Sequence, residues 1–202
     1  MESLKRFFKS LGGYSRPFWV ANISELFERI AFYGTTSMLV LYLSENRGID
    51  KGEAQRLGGI FGGLVYSLPV LSGVLADLMG YRRALMLAYA LLATGYFLVG
   101  QLDTYWAIAG ALLVVALGAS LVKPTITGTV QKTCSESQRA VGFSIYYTLV
   151  NVGGGLGPQI AGRLRKAFDP RIGFYVSSAA ALVALVLIAV AFRKPIEGPG
   201  ER

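Results

Sequence analysis

Residues 172–192 read IGFYVSSAAALVALVLIAVAF, twenty-one positions without a charge. A helix needs about 20 apolar residues to cross the hydrocarbon core of a bilayer. Three more charge-free windows of that length lie upstream, at Leu57–Ala76, Ala84–Leu102 and Ala140–Gly162. A fifth, Thr104–Val122, ends against Lys123, and apolar and small residues continue to Val130. The first, Ile30–Leu43, has only 14 residues and reaches full length by extending back to Phe18, which takes in Glu25, Glu28 and Arg29. The pattern predicts an all-α membrane protein with six transmembrane helices near 18–44, 55–78, 83–102, 104–130, 139–163 and 172–192.

Composition supports a multi-pass protein of the cell membrane. Of 202 residues, 53% are hydrophobic and 16% charged, with a mean hydropathy of +0.48. Soluble domains carry about 25% charged residues. There is no histidine, which excludes a Ser-His-Asp triad, a Cys-His dyad and a His-ligated metal site. Cys134 is the one cysteine, so no internal disulfide forms. No nucleophile–base pair is visible, and an enzyme is not expected. The net charge of +8 reads as basic loops on the cytoplasmic side, with membrane lipid and not nucleic acid as the partner.

An even number of spans puts both termini on one side. The N-terminal tail, the second and fourth loops and the C-terminal tail hold eleven Lys and Arg, against seven on the other side, so both termini are expected in the cytoplasm. Residues 1–17 form a basic segment in which Leu4, Phe7, Phe8 and Leu11 share a helical face. That segment is either a helix lying on the inner membrane surface or a disordered basic tail. The bundle then occupies 18–192, and 193–202, with Pro195, Gly198, Pro199 and Gly200, reads as a linker or tail.

The informative residues are the charges that fall inside spans, where burial costs at least about 3 kcal/mol each and such groups usually serve function. Asn22, Glu25, Arg29, Tyr33 and Thr36 recur every three or four residues and make one polar stripe, with Glu28 at its edge. This is either an ion pair locking two helices or a working site. Lys123, on another span, is followed by Pro124, which frees a carbonyl one turn back. Tyr66 and Pro69 interrupt the second span, and Tyr147 and Asn151 lie one turn apart on the fifth, ahead of Gly153, Gly154, Gly155 and Gly157. The formal charges of Glu25, Glu28, Arg29 and Lys123 sum to zero, which suits a zwitterionic solute or a proton relay. Without histidine, a carboxylate must carry the proton. Burial favours its protonated form and a neighbouring cation its charged form, so it releases the proton when that partner moves.

Two stretches carry a resemblance. Gly73-Val-Leu-Ala-Asp77-Leu-Met-Gly80-Tyr-Arg82-Arg83 resembles the loop signature of the major facilitator superfamily, with Leu78 in place of a basic residue. Glu25-Leu-Phe-Glu28-Arg29-Ile30-Ala31-Phe32-Tyr33 resembles the first-helix motif of the proton-dependent oligopeptide transporter family, with Ile30 for Phe and Phe32 for Tyr. The resemblance covers nearly the whole chain but only the N-terminal six-helix half of that family. It implies proton coupling through Glu25, Glu28, Arg29 and Lys123, and peptide binding by Tyr33, Thr36, Tyr66, Lys123, Tyr147 and Asn151. Thr36 stands where many members carry an arginine. Asp77, Arg82 and Arg83 would serve the conformational switch, with the proton as coupling ion and no cofactor or metal.

Three readings follow. The chain is a half-size subunit that symports small peptides or related zwitterions with protons as a homodimer, the N-terminal half of a longer transporter that does not transport alone, or a non-transporting membrane protein that binds a partner through the same polar face.

Overall fold

A computed structural model describes residues 13–192. The amphipathic face expected at Leu4–Leu11 and the linker expected at 193–202 lie outside the described residues. Those described fold into seven α-helices: α1 (Arg16–Leu41), α2 (Lys51–Ser67), α3 (Pro69–Met79), α4 (Tyr81–Gln101), α5 (Tyr105–Thr133), α6 (Glu136–Ala167) and α7 (Arg171–Ala191). One π-helical turn, Tyr42–Asn46, extends α1. Three helices, α4, α5 and α7, are long and apolar enough to cross a membrane, or four if α2 and α3 form one span. By this measure α1 and α6 fall short. The reason in α1 is Glu25, Glu28 and Arg29; in α6 it is a run of glycine, serine, tyrosine and asparagine.

Local chemistry sets the helix ends. The Ser15 hydroxyl accepts from Phe18 N at the start of α1, and Asp50 accepts from Gly52 N and Glu53 N at the start of α2. Ser135 and Gln138 form a capping box ahead of α6. Gly80, at φ 81°, takes the left-handed backbone that lets α3 end and α4 begin one residue later.

The second expected span, 55–78, is not one straight helix. It breaks at Leu68, and α2 and α3 meet at 47°. Pro69 begins the second piece, where its missing N–H costs nothing. In α5 the freed carbonyl expected from Pro124 is that of Ser120, and the Ser72 hydroxyl of α3 donates to it at 2.6 Å. The lost helical bond thus becomes a tie between α3 and α5.

The core forms where α4 packs on α5 and α7, and where α1 packs on α6 and α7. Buried hydroxyls pin these contacts: Thr35 donates to Ser177 Oγ at 3.0 Å, and Ser178 to Ala93 O at 2.8 Å. At the end expected to face outward, Arg47 pairs with Asp103 and donates to Gly100 O at 3.1 Å. Arg165 pairs there with Glu45 at 2.5 Å. The remaining helices are less enclosed. Val70, Leu71, Val74 and Leu78 on α3, and Tyr147, Val152 and Leu156 on α6, are exposed.

Candidate functional site

One helix supplies the interior of the site. Asn22, Glu25, Glu28 and Arg29 of α1 are all buried, with Arg29 the most accessible at 7%. Arg29 Nε pairs with Glu28 Oε2 and lies 3.2 Å from Glu25 Oε1, so one guanidinium serves two carboxylates. Its planar head also lies over the rings of Phe32 and Tyr33, 5.2 and 5.8 Å from their centroids. From α6 the Tyr146 hydroxyl donates to Glu25 Oε1 at 3.4 Å. Asn22 Nδ2 is spent on Phe18 O at 2.8 Å. Glu28, placed by the helical stripe at its edge, is fully buried and is the direct partner of Arg29.

A glycine contact brings α6 this close. A Cβ on Gly157 would stand 2.6 Å from Ile30 O, and one on Gly153 would stand 2.6 Å from Arg29 Cβ. Only hydrogen fits at either position. Gly155 and Gly162 face open space and serve no such contact.

The solute-binding candidates form a second, outer tier. Lys123 and Asn151 are exposed, as are Tyr66 at 67% and Tyr147 at 56%, while Tyr33 and Thr36 are half-buried. Among the described residues no ion pair involves Lys123, although its charge reaches Glu25. The four charges grouped from the sequence therefore divide into a paired buried trio and a separate cation. The Thr36 hydroxyl donates to Phe32 O of its own helix at 2.9 Å. Tyr66 sits two residues before the α2–α3 break, and no hydrogen bond joins it to Tyr147, Asn151 or Lys123.

Opposite the Arg47 end, Asp77 and Lys132 flank the Tyr81 hydroxyl, and Lys132 Nζ lies 4.4 Å from the centre of that ring. Arg82 donates to Ala189 O near the C-terminus of α7 at 2.6 Å, where a cation suits the helix dipole. Arg83 is exposed. Among the described residues no three carboxylates or thiols gather in a way that would hold a metal ion.

Residues 22–202 match the Major Facilitator Superfamily profile. The chain belongs to the Major Facilitator Superfamily. Within it, several of the relatives it matches are peptide transporters. The chain is 28% identical to a di-/tripeptide transporter of Lactococcus lactis over 92% of its own length and 39% of the relative's. It is 29% identical to a peptide transporter of Yersinia enterocolitica over 87% of its own length and 36% of the relative's. A crystal structure of a peptide transporter of the POT family with sulfate superimposes with a TM-score of 0.84 at 26% identity, covering 91% of this chain and 39% of that one. The chain thus spans about two fifths of the length of the curated relatives it matches. In agreement with the resemblance of its motifs, the chain is similar over most of its length to POT peptide transporters, whose superfamily is one of transporters and not of enzymes.

Three site residues escaped sequence reading. The sequence marks Tyr147 and not its neighbour Tyr146, which lies in register with Gly142, Gly153, Gly157 and Ala161, the buried face of α6. That small-residue register was the available signal. Tyr89 and Tyr96 of α4 are fully buried, and in an apolar span nothing marked them out.

Proposed function

We propose that this chain is the proton-coupling half of a cell-membrane symporter for small peptides or related zwitterionic solutes. It works with a second six-helix unit, a further copy of itself or a C-terminal half, set against its open face. Six spans with both termini cytoplasmic complete this picture. The observation that carries the reading is the buried trio of Glu25, Glu28 and Arg29, with Lys123 on the exposed side and in no ion pair among the described residues. A fixed structural lock would match charges one to one. Here two carboxylates compete for one guanidinium, and a second cation stands within electrostatic reach of Glu25. When Glu25 turns to Lys123, or to the amino group of a solute, Arg29 is left to Glu28. When the solute leaves, a proton replaces it as the neutralising partner.

The outer tier supplies recognition. Lys123 meets a solute carboxylate, Tyr33, Tyr66, Tyr147 and Asn151 offer hydrogen bonds and ring faces, and Thr36 contributes a small wall. Asp77, Arg82 and Arg83 brace the cytoplasmic ends during switching. Polar side chains facing lipid are costly, so the open face is covered in the working assembly. Uptake of labelled dipeptides, tripeptides and single amino acids into proteoliposomes of the purified chain tests the reading. Dipeptide uptake that rises with an inward proton gradient supports it; gradient-independent uptake of solutes without an amino group refutes it. Protein mass in nanodiscs, with cysteine crosslinking from the open face, identifies the second unit.

A further inference from the structure

Six buried side-chain atoms among the described residues have no hydrogen-bond partner. Arg47 Nε lies at one end of the bundle. The other five are Asn22 Oδ1, Glu25 Oε2 and Glu28 Oε1 of α1 and the hydroxyls of Tyr89 and Tyr96 of α4. Asn22, Glu25 and Glu28 follow one another at three-residue steps. Tyr89 and Tyr96 lie two turns apart on one face of α4 and are both 0% exposed. The backbones of α1 and α4 do not pack on each other, and both pack on α5 and α7.

The groups acting on the two phenols come from α1. Glu25, Glu28 and Arg29 act on Tyr89, and Glu28 and Arg29 on Tyr96. No titratable group of α5 or α7 joins them; Lys123 of α5 and Tyr146 of α6 act on Glu25. Ser24, beside Tyr89, has its hydroxyl engaged with Ala21 O at 2.8 Å. Two phenol donors thus stand near two carboxylate acceptors, with no hydrogen bond between them. A void becomes hydrated when it is polar and offers two to four partners to each water. Water, which both donates and accepts, joins a phenol to a carboxylate oxygen where direct contact fails.

We propose that bound water occupies the seam between α1 and α4, held by Tyr89 and Tyr96 against the free oxygens of Glu25 and Glu28, and carries the coupling proton between the two carboxyls. The relay rests on the proton-coupled reading above; the water site does not. A proton released by Glu28 joins the nearest water as another proton leaves the far end of the chain for Glu25. Every intermediate water gains one O–H bond and loses one, and the phenols keep their own protons. Tyr89 and Tyr96 are positioning residues that act through water and never touch the solute.

The test is X-ray hydroxyl-radical footprinting of the purified chain in nanodiscs, in isotope-labelled water. It is followed by uptake and counterflow with Tyr96→Phe and Tyr89→Phe. Tyr42 is the internal control, since it is 2% exposed but its hydroxyl already donates to Val99 O. We expect Tyr89 and Tyr96 to label far faster than Tyr42. We expect Tyr96→Phe to lower gradient-driven uptake about tenfold, the weight of one hydrogen bond to a charged group, while counterflow persists. Labelling no faster than Tyr42 overturns the water site. Labelled tyrosines with full gradient-driven uptake in both variants overturn the relay. Labelled tyrosines in a wild-type chain that shows no gradient dependence overturn the proton-coupled reading and the relay with it, and leave the water site standing.

Discussion

Tyr146 donates to Glu25 Oε1 across the α1–α6 contact, 3.4 Å from a carboxylate oxygen that also lies 3.2 Å from Arg29. Its neighbour Tyr147 points outward and is 56% exposed. Adjacent tyrosines on one helix thus belong to different tiers, one to the charge cluster and one to the open face.

Tyr146→Phe keeps the ring and removes the donor. A hydrogen bond to a charged group contributes about 1.5–3 kcal/mol, so gradient-driven uptake should fall tenfold or more by that estimate. Tyr147→Phe should instead raise the solute concentration needed for half-maximal uptake and leave the gradient response intact. Matched uptake curves for both variants check this, and identical effects would remove the two-tier division.

Lys123→Ala should abolish gradient-driven uptake and leave the fold intact. Lys123 is exposed and makes no ion pair among the described residues, so its loss opens no cavity and strands no buried partner. It does remove the alternative cation from Glu25. An unchanged thermal midpoint with lost gradient dependence is the expected pair of results. Normal gradient-driven uptake would exclude Lys123 from coupling.

The glycine contact gives a stability prediction. Gly157→Ala places a methyl 2.6 Å from Ile30 O, a backbone atom that moves only if α1 and α6 separate. Overpacking of this kind costs about 1–3 kcal/mol. Gly155→Ala meets open space and should be neutral or slightly stabilising, since alanine is the better helix former. Thermal midpoints of the two purified variants in one detergent decide the matter.

Asp77→Asn should slow turnover and leave solute affinity nearly unchanged. Asp77 lies beside Tyr81 and Lys132 at one end of the bundle, where it joins the α3–α4 turn to α5. Counterflow rates and equilibrium binding separate the two quantities. Weakened binding with normal turnover would place Asp77 in the solute site.

The charge-free windows of the sequence located the helices because burial of a charge in lipid is the dominant cost at any span. The break at Leu68-Pro69 was less legible: a proline fixes where a hydrogen bond is lost, but not the size of the 47° bend, nor that Ser72 beyond it bonds Ser120 O on another helix. The stripe on α1 was legible from three- and four-residue spacing, since side chains at those steps share a face. The same spacing put Glu28 at the edge and could not show its full burial, because a face is narrower than the surface that neighbouring helices bury. Tyr89 and Tyr96 were invisible, as a tyrosine in an apolar span reads alike whether its hydroxyl meets lipid headgroups, backbone or a carboxylate.

The central claim is that solute and proton move together through the α1 cluster. The direct measurement is proton influx into proteoliposomes loaded with a pH-sensitive dye, started by adding dipeptide outside at equal pH on both sides. The account predicts acidification of the lumen on dipeptide addition with wild-type protein and none with Lys123→Ala. Dipeptide entry without acidification in the wild type would contradict it.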